Sequence, residues 1–237
     1  MDINTGRQRS QGMVETVGDA AGDRSLQQLI ETTAPFSVER ERVERYIAAI
    51  FHASHDAKVL EYLPLLVHME QGGSLCAALG LRSASRGPLF AERYLKAPLE
   101  DHIVREFARR VHRGQLMELG NLVSSQPGQA VSLYLLVVAA LGRAGISHLL
   151  FAANRAVRVS IKRCGFVTRE LGKADPDKLG ADAGYWGSYY ESDPRVVVAD
   201  IPQALQHGKH HPAISRLWQS QALVIEALAD TIRSERS

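Results

Sequence analysis

The chain has 237 residues, of which 45% are hydrophobic and 23% are charged, a balance typical of one globular domain with extensions. A formal net charge of +2, without a dense stripe of basic and aromatic residues, gives no support to a nucleic-acid partner. The two cysteines, Cys76 and Cys164, lack CxxC spacing, so we expect neither a disulfide nor a zinc framework, and this usage fits a reducing cytoplasm.

Residues 1–33 are polar and rich in Gly, Gln and Asp, which predicts a flexible tail with a short helix near 25–32. The tail has no apolar segment of the kind found in secretory signal peptides. The longest apolar run, 131–141, is about half as long as a segment that spans a bilayer. We therefore expect a cytoplasmic protein without a transmembrane segment.

A folded domain is predicted over residues 34–201 from the apolar periodicity. In chain order, the pattern predicts a strand at 35–38, a helix at 39–53, a β-hairpin of 63–69 and 74–82, an irregular segment at 89–95 and a helix from 98 to about 111. There follow a strand at 115–124, a helix at 131–143, a strand at 147–153, a helix at 155–164 and strands at 166–171 and 195–201. Residues 202–237 are predicted to form a helical extension, in which Ile214, Trp218 and Ile225 lie on one amphipathic face.

The stretch from Asn154 to Phe166 has the spacing of a cap and one amphipathic helix after a strand. Asn154 can cap this helix, Gly165 can end it and Phe166 can anchor the next strand in the core. This spacing resembles the strand–helix unit of GNAT-type acyltransferases, although Ile161 stands where many of those enzymes carry a tyrosine acid. The alternative is an ordinary αβ unit of an α/β protein.

The loop from Ser125 to Ala130 resembles the loop in which GNAT acyltransferases bind the pyrophosphate of coenzyme A. In that chemistry, backbone N–H groups at a helix N-terminus point at phosphate, and small residues such as Gly128 let the backbone approach. Ser125 replaces the usual Gln or Arg, which leaves room for an acyl carrier protein as donor. The alternative is an ordinary Pro-Gly turn. The resemblance implies a donor-binding set, with the amides after Val123 as the oxyanion region: Leu122, Val123, Ser125, Gly128, Gln129, Ala130 and Asn154.

Three further segments carry a resemblance to one family. They are Leu-Phe-Ala-Glu-Arg-Tyr-Leu at 89–95, Glu-Leu-Gly-Asn-Leu at 118–122 and Trp-Gly-Ser-Tyr-Tyr-Glu at 186–191. Together they resemble the thermostable hemolysin family over about residues 36–201. The resemblance implies an α/β (α+β), GNAT-like fold, also used by acyl-homoserine lactone synthases. In that fold a mixed central sheet is splayed between two parallel strands and flanked by helices.

Glu118 is the candidate general base. The stretch 117–121 resembles the Trp-Glu-x-Ser/Gly-Arg stretch of the lactone synthases, with Asn121 in place of the arginine. A nucleophilic amine must lose a proton near neutral pH, and a carboxylate with a raised pKa in a cleft suits that task. The alternative is a structural carboxylate paired with a nearby arginine.

The candidate substrate-binding residues flank this strand in sequence. Arg93 could hold a carboxylate and Glu92 an amine, whereas a surface ion-pair cluster is the alternative for both. Tyr189 and Tyr190 could supply the phenolic acid that Ile161 cannot. Tyr94 and Trp186 complete the predicted acceptor site; the aromatic residues could equally pack internally or contact a second copy in a homodimer. The histidines lack the spacing of a metal site, so no metal and no resident cofactor are predicted.

We therefore interpret the chain as an N-acyltransferase that moves an acyl group from acyl-CoA or an acyl carrier protein to a small amine such as an amino acid. One alternative is a membrane-acting lytic protein, which would need export and an exposed amphipathic surface. The other is an inactive module that binds acyl thioesters, which Ile161 and Ser125 favour.

Overall fold

A computed structural model of the protein describes residues 28–33 and 36–236. The flexible tail predicted for residues 1–33 lies outside the described residues as far as residue 27. The strands are β1 Gln28–Thr32, β2 Leu65–Gln71, β3 Ser74–Ser83, β4 Leu116–Ser124, β5 His148–Ala153, β6 Thr168–Lys173 and β7 Arg195–Asp200. The helices are α1 Val38–His55, α2 Leu99–Phe107, α3 Gln129–Arg143, α4 Arg155–Arg163, α5 Ile201–His210, α6 Pro212–Ser220 and α7 Ala222–Arg236.

The described strands form one seven-stranded mixed sheet in the order β1-β2-β3-β4-β5-β7-β6. Paired neighbours are antiparallel, except that β4 and β5 are parallel. Helix α3 forms the crossover between these two strands, because parallel neighbours cannot be joined by a tight turn.

Strands β4 and β5 separate after a short stretch of pairing. Their register ends at Glu118 opposite Leu150, although β4 continues to Ser124. The pairing of β4 with β3 shifts by one residue near Asn121, whose φ of 51° is left-handed. Because such a bulge bends its strand, β4 turns away from β5 and a slot opens between them. The predicted GNAT-like fold, with a mixed sheet splayed between two parallel strands, is confirmed.

The side chain of Asn121 stabilises this bulge. Its Oδ1 accepts the N–H of Leu63 at 2.9 Å, and its Nδ2 donates to the carbonyl of Glu61 at 3.3 Å. Asparagine is also one of the few residues that adopt a left-handed conformation at low cost. The residue that replaces the arginine of the lactone synthases therefore has a structural task here.

Helix α3 is buried on nearly all sides. Every side chain from Leu133 to Leu141 is buried between the sheet and the C-terminal helices. Trp218 of α6 donates its Nε1–H to the carbonyl of Leu135 at 2.9 Å. The C-terminal helices therefore complete the core rather than extend from it. Within the described part of the chain, every helix is too short or too polar to span a bilayer.

Three local predictions were wrong. The described part of the short helix predicted near 25–32 is strand β1, which pairs with β2. The residues predicted as a strand at 35–38 include the start of α1, because Ser37 Oγ accepts the N–H of Arg40 at 3.1 Å as an N-cap. The C-terminal face predicted to run through Ile214, Trp218 and Ile225 is divided between two helices, α6 and α7, with Gln221 between them.

Candidate active site

A cavity of about 140 Å³ lies in the slot where β4 and β5 separate. Its floor is formed by the two strands, and its other walls come from α1, the 3₁₀ segment Phe90–Tyr94 and the loop around Trp186. The lining residues are Phe51, His55, Phe90, Tyr94, Glu118, Leu119, Gly120, Asn121, Leu122, Phe151, Ala152, Ala153, Asn154, Val157, Trp186, Tyr189 and Tyr190.

Glu118 is a buried carboxylate in this cavity, with 3% of its surface exposed. Its two oxygens accept the backbone N–H groups of Phe90 and Ala91 at 2.8 and 2.7 Å. Burial raises the pKa of Glu118 to about 7, although the two N–H groups and the positive charge of Arg82 act in the opposite direction. A carboxylate with this pKa is divided between its proton-accepting and proton-donating forms near neutral pH.

The segment that holds Glu118 is itself held by an ion pair. Arg113 donates from Nη1 and Nη2 to the two carboxylate oxygens of Glu92 at 2.5 and 3.0 Å. Glu92 also accepts the N–H of Leu89 at 2.8 Å, and Arg113 donates to the carbonyl of Gly87 at 2.9 Å. Burial alone would raise the pKa of Glu92, but the Arg113 and Leu89 donors outweigh it and lower that pKa. Glu92 is not among the residues that line the cavity, and its bond to the Leu89 N–H fixes the neighbouring backbone.

Tyr94 and Tyr190 share a hydrogen bond in the cavity. Their hydroxyl oxygens are 2.6 Å apart. Burial raises the pKa of both phenols, so both keep their protons at neutral pH. Tyr189 packs edge-on against Tyr190 with ring centroids 5.4 Å apart, and burial raises its pKa as well. The two phenols can donate hydrogen bonds to a ligand but are poor bases.

The aromatic loop is attached to the end of α1. Gly187 has a left-handed φ of 49°, and a Cβ at this position would lie 2.0 Å from the carbonyl oxygen of His55. The N–H of Ser188 donates to that same carbonyl at 2.9 Å. Trp186 packs edge-on against Phe51 with ring centroids 6.1 Å apart. Glycine permits this close approach, so the loop lies against the end of α1. Trp186 and Tyr189 from this loop line the cavity.

The predicted donor-binding residues fall into two groups. Leu122 and Asn154 line the cavity, and Asn154 caps α4 by accepting the N–H of Val157 at 3.0 Å. Gly128 is the N-cap of α3 with a left-handed φ of 83°. The other members, which belong to the end of β4, the loop and the first turn of α3, lie outside the cavity wall: Val123, Ser125, Gln129 and Ala130. In this loop the N–H of Gln129 donates to the carbonyl of Gln126 at 3.4 Å, and the N–H of Ser125 donates to the carbonyl of Cys76 at 3.1 Å.

A second, smaller cavity of about 30 Å³ adjoins the first and is apolar throughout. Four residues border both cavities: Leu119, Leu122, Phe151 and Val157. Ile161 lies in its wall, at the position where a tyrosine acid is usual in GNAT enzymes. Tyr134 also borders it, and its hydroxyl is 3.0 Å from the sulfur of Cys164. Ile161 therefore adds an apolar side chain to the wall of the cavity behind the slot.

Two predicted acceptor residues, Trp186 and Tyr94, are in the cavity wall, whereas Arg93 is not. Arg93 lies 3.7 Å from Asp182, with its guanidinium 5.3 Å from the centre of the Phe90 ring. Phe51 and His55 were missed, because nothing in their sequence neighbourhood marks them as more than the apolar face of α1. Burial lowers the pKa of His55.

The chain matches one family model and is similar in structure to several solved proteins. The family model described as "Thermostable hemolysin" matches residues 33–205. FeeM, an N-acyl amino acid synthase from uncultured soil microbes, is 16% identical with a TM-score of 0.55, and the match covers 78% of this chain and 96% of FeeM. TofI in its apo form is 14% identical with a TM-score of 0.52, and the match covers 80% of this chain and 99% of TofI. No curated protein matched the sequence. At these identities the structural likeness shows a shared fold.

Proposed function

The chain belongs to the thermostable hemolysin family, and we propose that it is an N-acyltransferase acting between a thioester donor and a small amine. The observation that carries this proposal is the position of Glu118. A buried carboxylate with a pKa of about 7 lies in a cavity at the point where two parallel strands separate. A group so placed can take a proton from an amine that enters the slot.

The proposed reaction uses the groups that line the cavity. Glu118 removes a proton from the ammonium form of the acceptor, and the freed nitrogen attacks the thioester carbonyl carbon. The new N–C bond forms, the C–S bond breaks, and the thiolate leaves with the second amine proton. The hydroxyl pair of Tyr94 and Tyr190 is 2.6 Å apart and can donate to the carbonyl oxygen or the leaving sulfur.

The donor is proposed to enter along β4. Its phosphate groups would lie at the start of α3, where Gly128 gives the backbone its left-handed turn. The acyl chain would lie in the apolar cavity behind Leu122 and Phe151, which border both spaces. The apolar lining of this cavity, of about 30 Å³, suits the first carbon atoms of an acyl chain longer than acetyl. The donor is acyl-CoA or an acyl carrier protein.

The acceptor is proposed to be a small amine such as an amino acid. It would occupy the cavity between Glu118 and the aromatic wall of Trp186 and Tyr189, with Tyr94 nearby. The product of transfer from a long-chain donor has an apolar chain and a polar head, so it would act on membranes as a detergent. Acyl transfer would in this way account for lysis as an indirect effect.

The test is direct incubation of the purified protein with acetyl, octanoyl and hexadecanoyl thioesters of CoA and of carrier protein, with a mixture of amino acids. We expect mass spectrometry to detect acyl amides from the longer donors and thiol release to match amide formation. Erythrocytes should lyse only when donor and amine are both present. Lysis by the protein alone, with no amide from any donor, would support the membrane-acting alternative and overturn the proposal.

A further inference from the structure

His68 of β2 is buried without a hydrogen-bond partner. Its exposed fraction is 0%, and neither ring nitrogen has a partner among the described residues. A buried polar ring without hydrogen bonds loses its hydration and has no bonds that replace it. Such an orphaned group calls for a ligand, an ion or a functional role.

Three carboxylates surround the Nε2 atom of this ring. The Nε2 atom is 3.9 Å from Glu31 on β1, 3.7 Å from Glu39 in the first turn of α1 and 3.8 Å from Glu70 on β2. The side chain of Glu70 is also largely buried, with 14% exposed. The ligand atoms of His68, Glu39 and Glu70 all lie within 4.8 Å of one another.

These separations approach those of a metal centre. Ligand atoms bound about 2.0–2.1 Å from one zinc ion in a tetrahedron lie about 3.3 Å apart. The separations of 3.7–3.9 Å around His68 therefore exceed the bound geometry by about half an ångström.

Arg42 forms ion pairs with Glu39 and Glu70 and so balances part of their negative charge. Its Nη1 donates to Glu39 at 2.8 Å and also to Glu70, so one cation bridges the two acids. The arginine side chain is 36% exposed and can turn outward. A divalent ion and the Arg42 guanidinium would therefore compete for the same pair of carboxylates.

We propose that His68, Glu39 and Glu70 form a binding site for a zinc-class divalent cation, with Glu31 as a fourth ligand. One imidazole and several carboxylates suit such an ion. The site lies two strands from β4 in the sheet and joins β1, β2 and the start of α1. A bound ion would fasten the edge strand and the first helix to the sheet, so its role is structural and independent of the acyl-transfer site.

The experiment titrates the full-length, tag-free protein with Co²⁺ and Zn²⁺, following cobalt absorption and thermal unfolding. We expect one ion to bind, with the visible spectrum of four-coordinate cobalt and a rise in Tm. Glu70→Gln and Glu39→Gln should each weaken binding at least tenfold. Arg42→Gln should tighten it, because it removes the competing cation.

Matched controls separate this site from surface histidines. His52→Gln and His210→Gln change exposed rings and should leave the affinity unchanged. His68→Gln should abolish binding if it folds, and the two glutamate variants give the answer if it does not. The proposal is overturned if neither ion binds, if binding survives in the glutamate variants, or if Arg42→Gln only lowers Tm without tightening the binding of either ion.

Discussion

Replacement of Glu118 by glutamine should change how the free energy of unfolding depends on pH, and it should also slow acyl transfer. The folded protein holds the proton of Glu118 with a pKa of about 7, against an ordinary value of 4.5. A rise of this size corresponds to about 3 kcal/mol. Because the folded pKa is the higher one, this stabilisation is fully present below about pH 4.5 and is lost as the pH rises through about 7.

Glutamine does not titrate. The variant should therefore not lose the stabilisation that the wild type loses as the pH rises through about 7. Glu118→Gln also disturbs the two hydrogen bonds from Phe90 and Ala91, which costs about 1–3 kcal/mol at every pH. The informative quantity is therefore the change with pH. Between about pH 4 and pH 8, the wild type should lose about 3 kcal/mol of unfolding free energy relative to the variant.

Urea unfolding at a series of pH values measures this difference. Glu191→Gln, which changes an exposed carboxylate, should follow the wild-type curve and serves as the control. In parallel, kcat/KM of the wild type should rise with an apparent pKa near 7, and Glu118→Gln should be about a hundred- to ten-thousand-fold slower. A stability difference that stays flat across the pH range would refute the raised pKa. Wild-type rates in the variant would refute the role as a base.

Three further changes test the surroundings of the site. Gly128→Val should weaken thioester binding more than it lowers Tm. Open space surrounds the position, but its left-handed φ of 83° disfavours a β-branched residue. Unchanged affinity in a folded variant would show that the loop is not part of the site. Arg113→Met should lower kcat and raise the apparent pKa of Glu118, because the Phe90 and Ala91 amides that favour its charged form lose the support of the Arg113–Glu92 pair. A pH profile identical to that of the wild type contradicts this positioning role. Gly187→Ala should lower Tm and loosen the aromatic loop, because the added Cβ would lie 2.0 Å from the His55 carbonyl oxygen. Intrinsic tryptophan fluorescence measures the loosening. An unchanged spectrum and an unchanged Tm would contradict this prediction.

Local signals in the sequence were dependable where one residue decides one conformation. Asn154 caps α4, Gly165 follows its end with a left-handed φ of 75°, and Gly128 begins α3. Side-chain caps and glycine conformations act over a few residues, so no distant contact is needed to recognise them. The order of helices and strands followed from periodicity for the same reason, and with it the GNAT-like fold.

Sequence patterns did not predict the features that depend on a residue far away in the chain. Strand β1 exists because it pairs with β2, more than thirty residues later, and its polar sequence gave no strand pattern. Sequence reasoning placed Glu92 in the acceptor site, whereas its charge is met by Arg113, 21 residues further on. Strand pairing and ion pairing depend on side chains that only folding brings together.

The sequence by itself therefore determined the type and order of most elements, the turns at Gly128 and Asn154, and the candidacy of Glu118. Only the tertiary structure decided the pKa of Glu118, because burial raises it and the amides of Phe90 and Ala91, which lower it, come from a segment 27 or 28 residues away. It likewise decided the slot and the two adjoining cavities, since the separation of β4 from β5 depends on a bulge in one strand against another. Local conformation is encoded over a few neighbouring residues, whereas the electrostatics of a site depend on everything that excludes water from it.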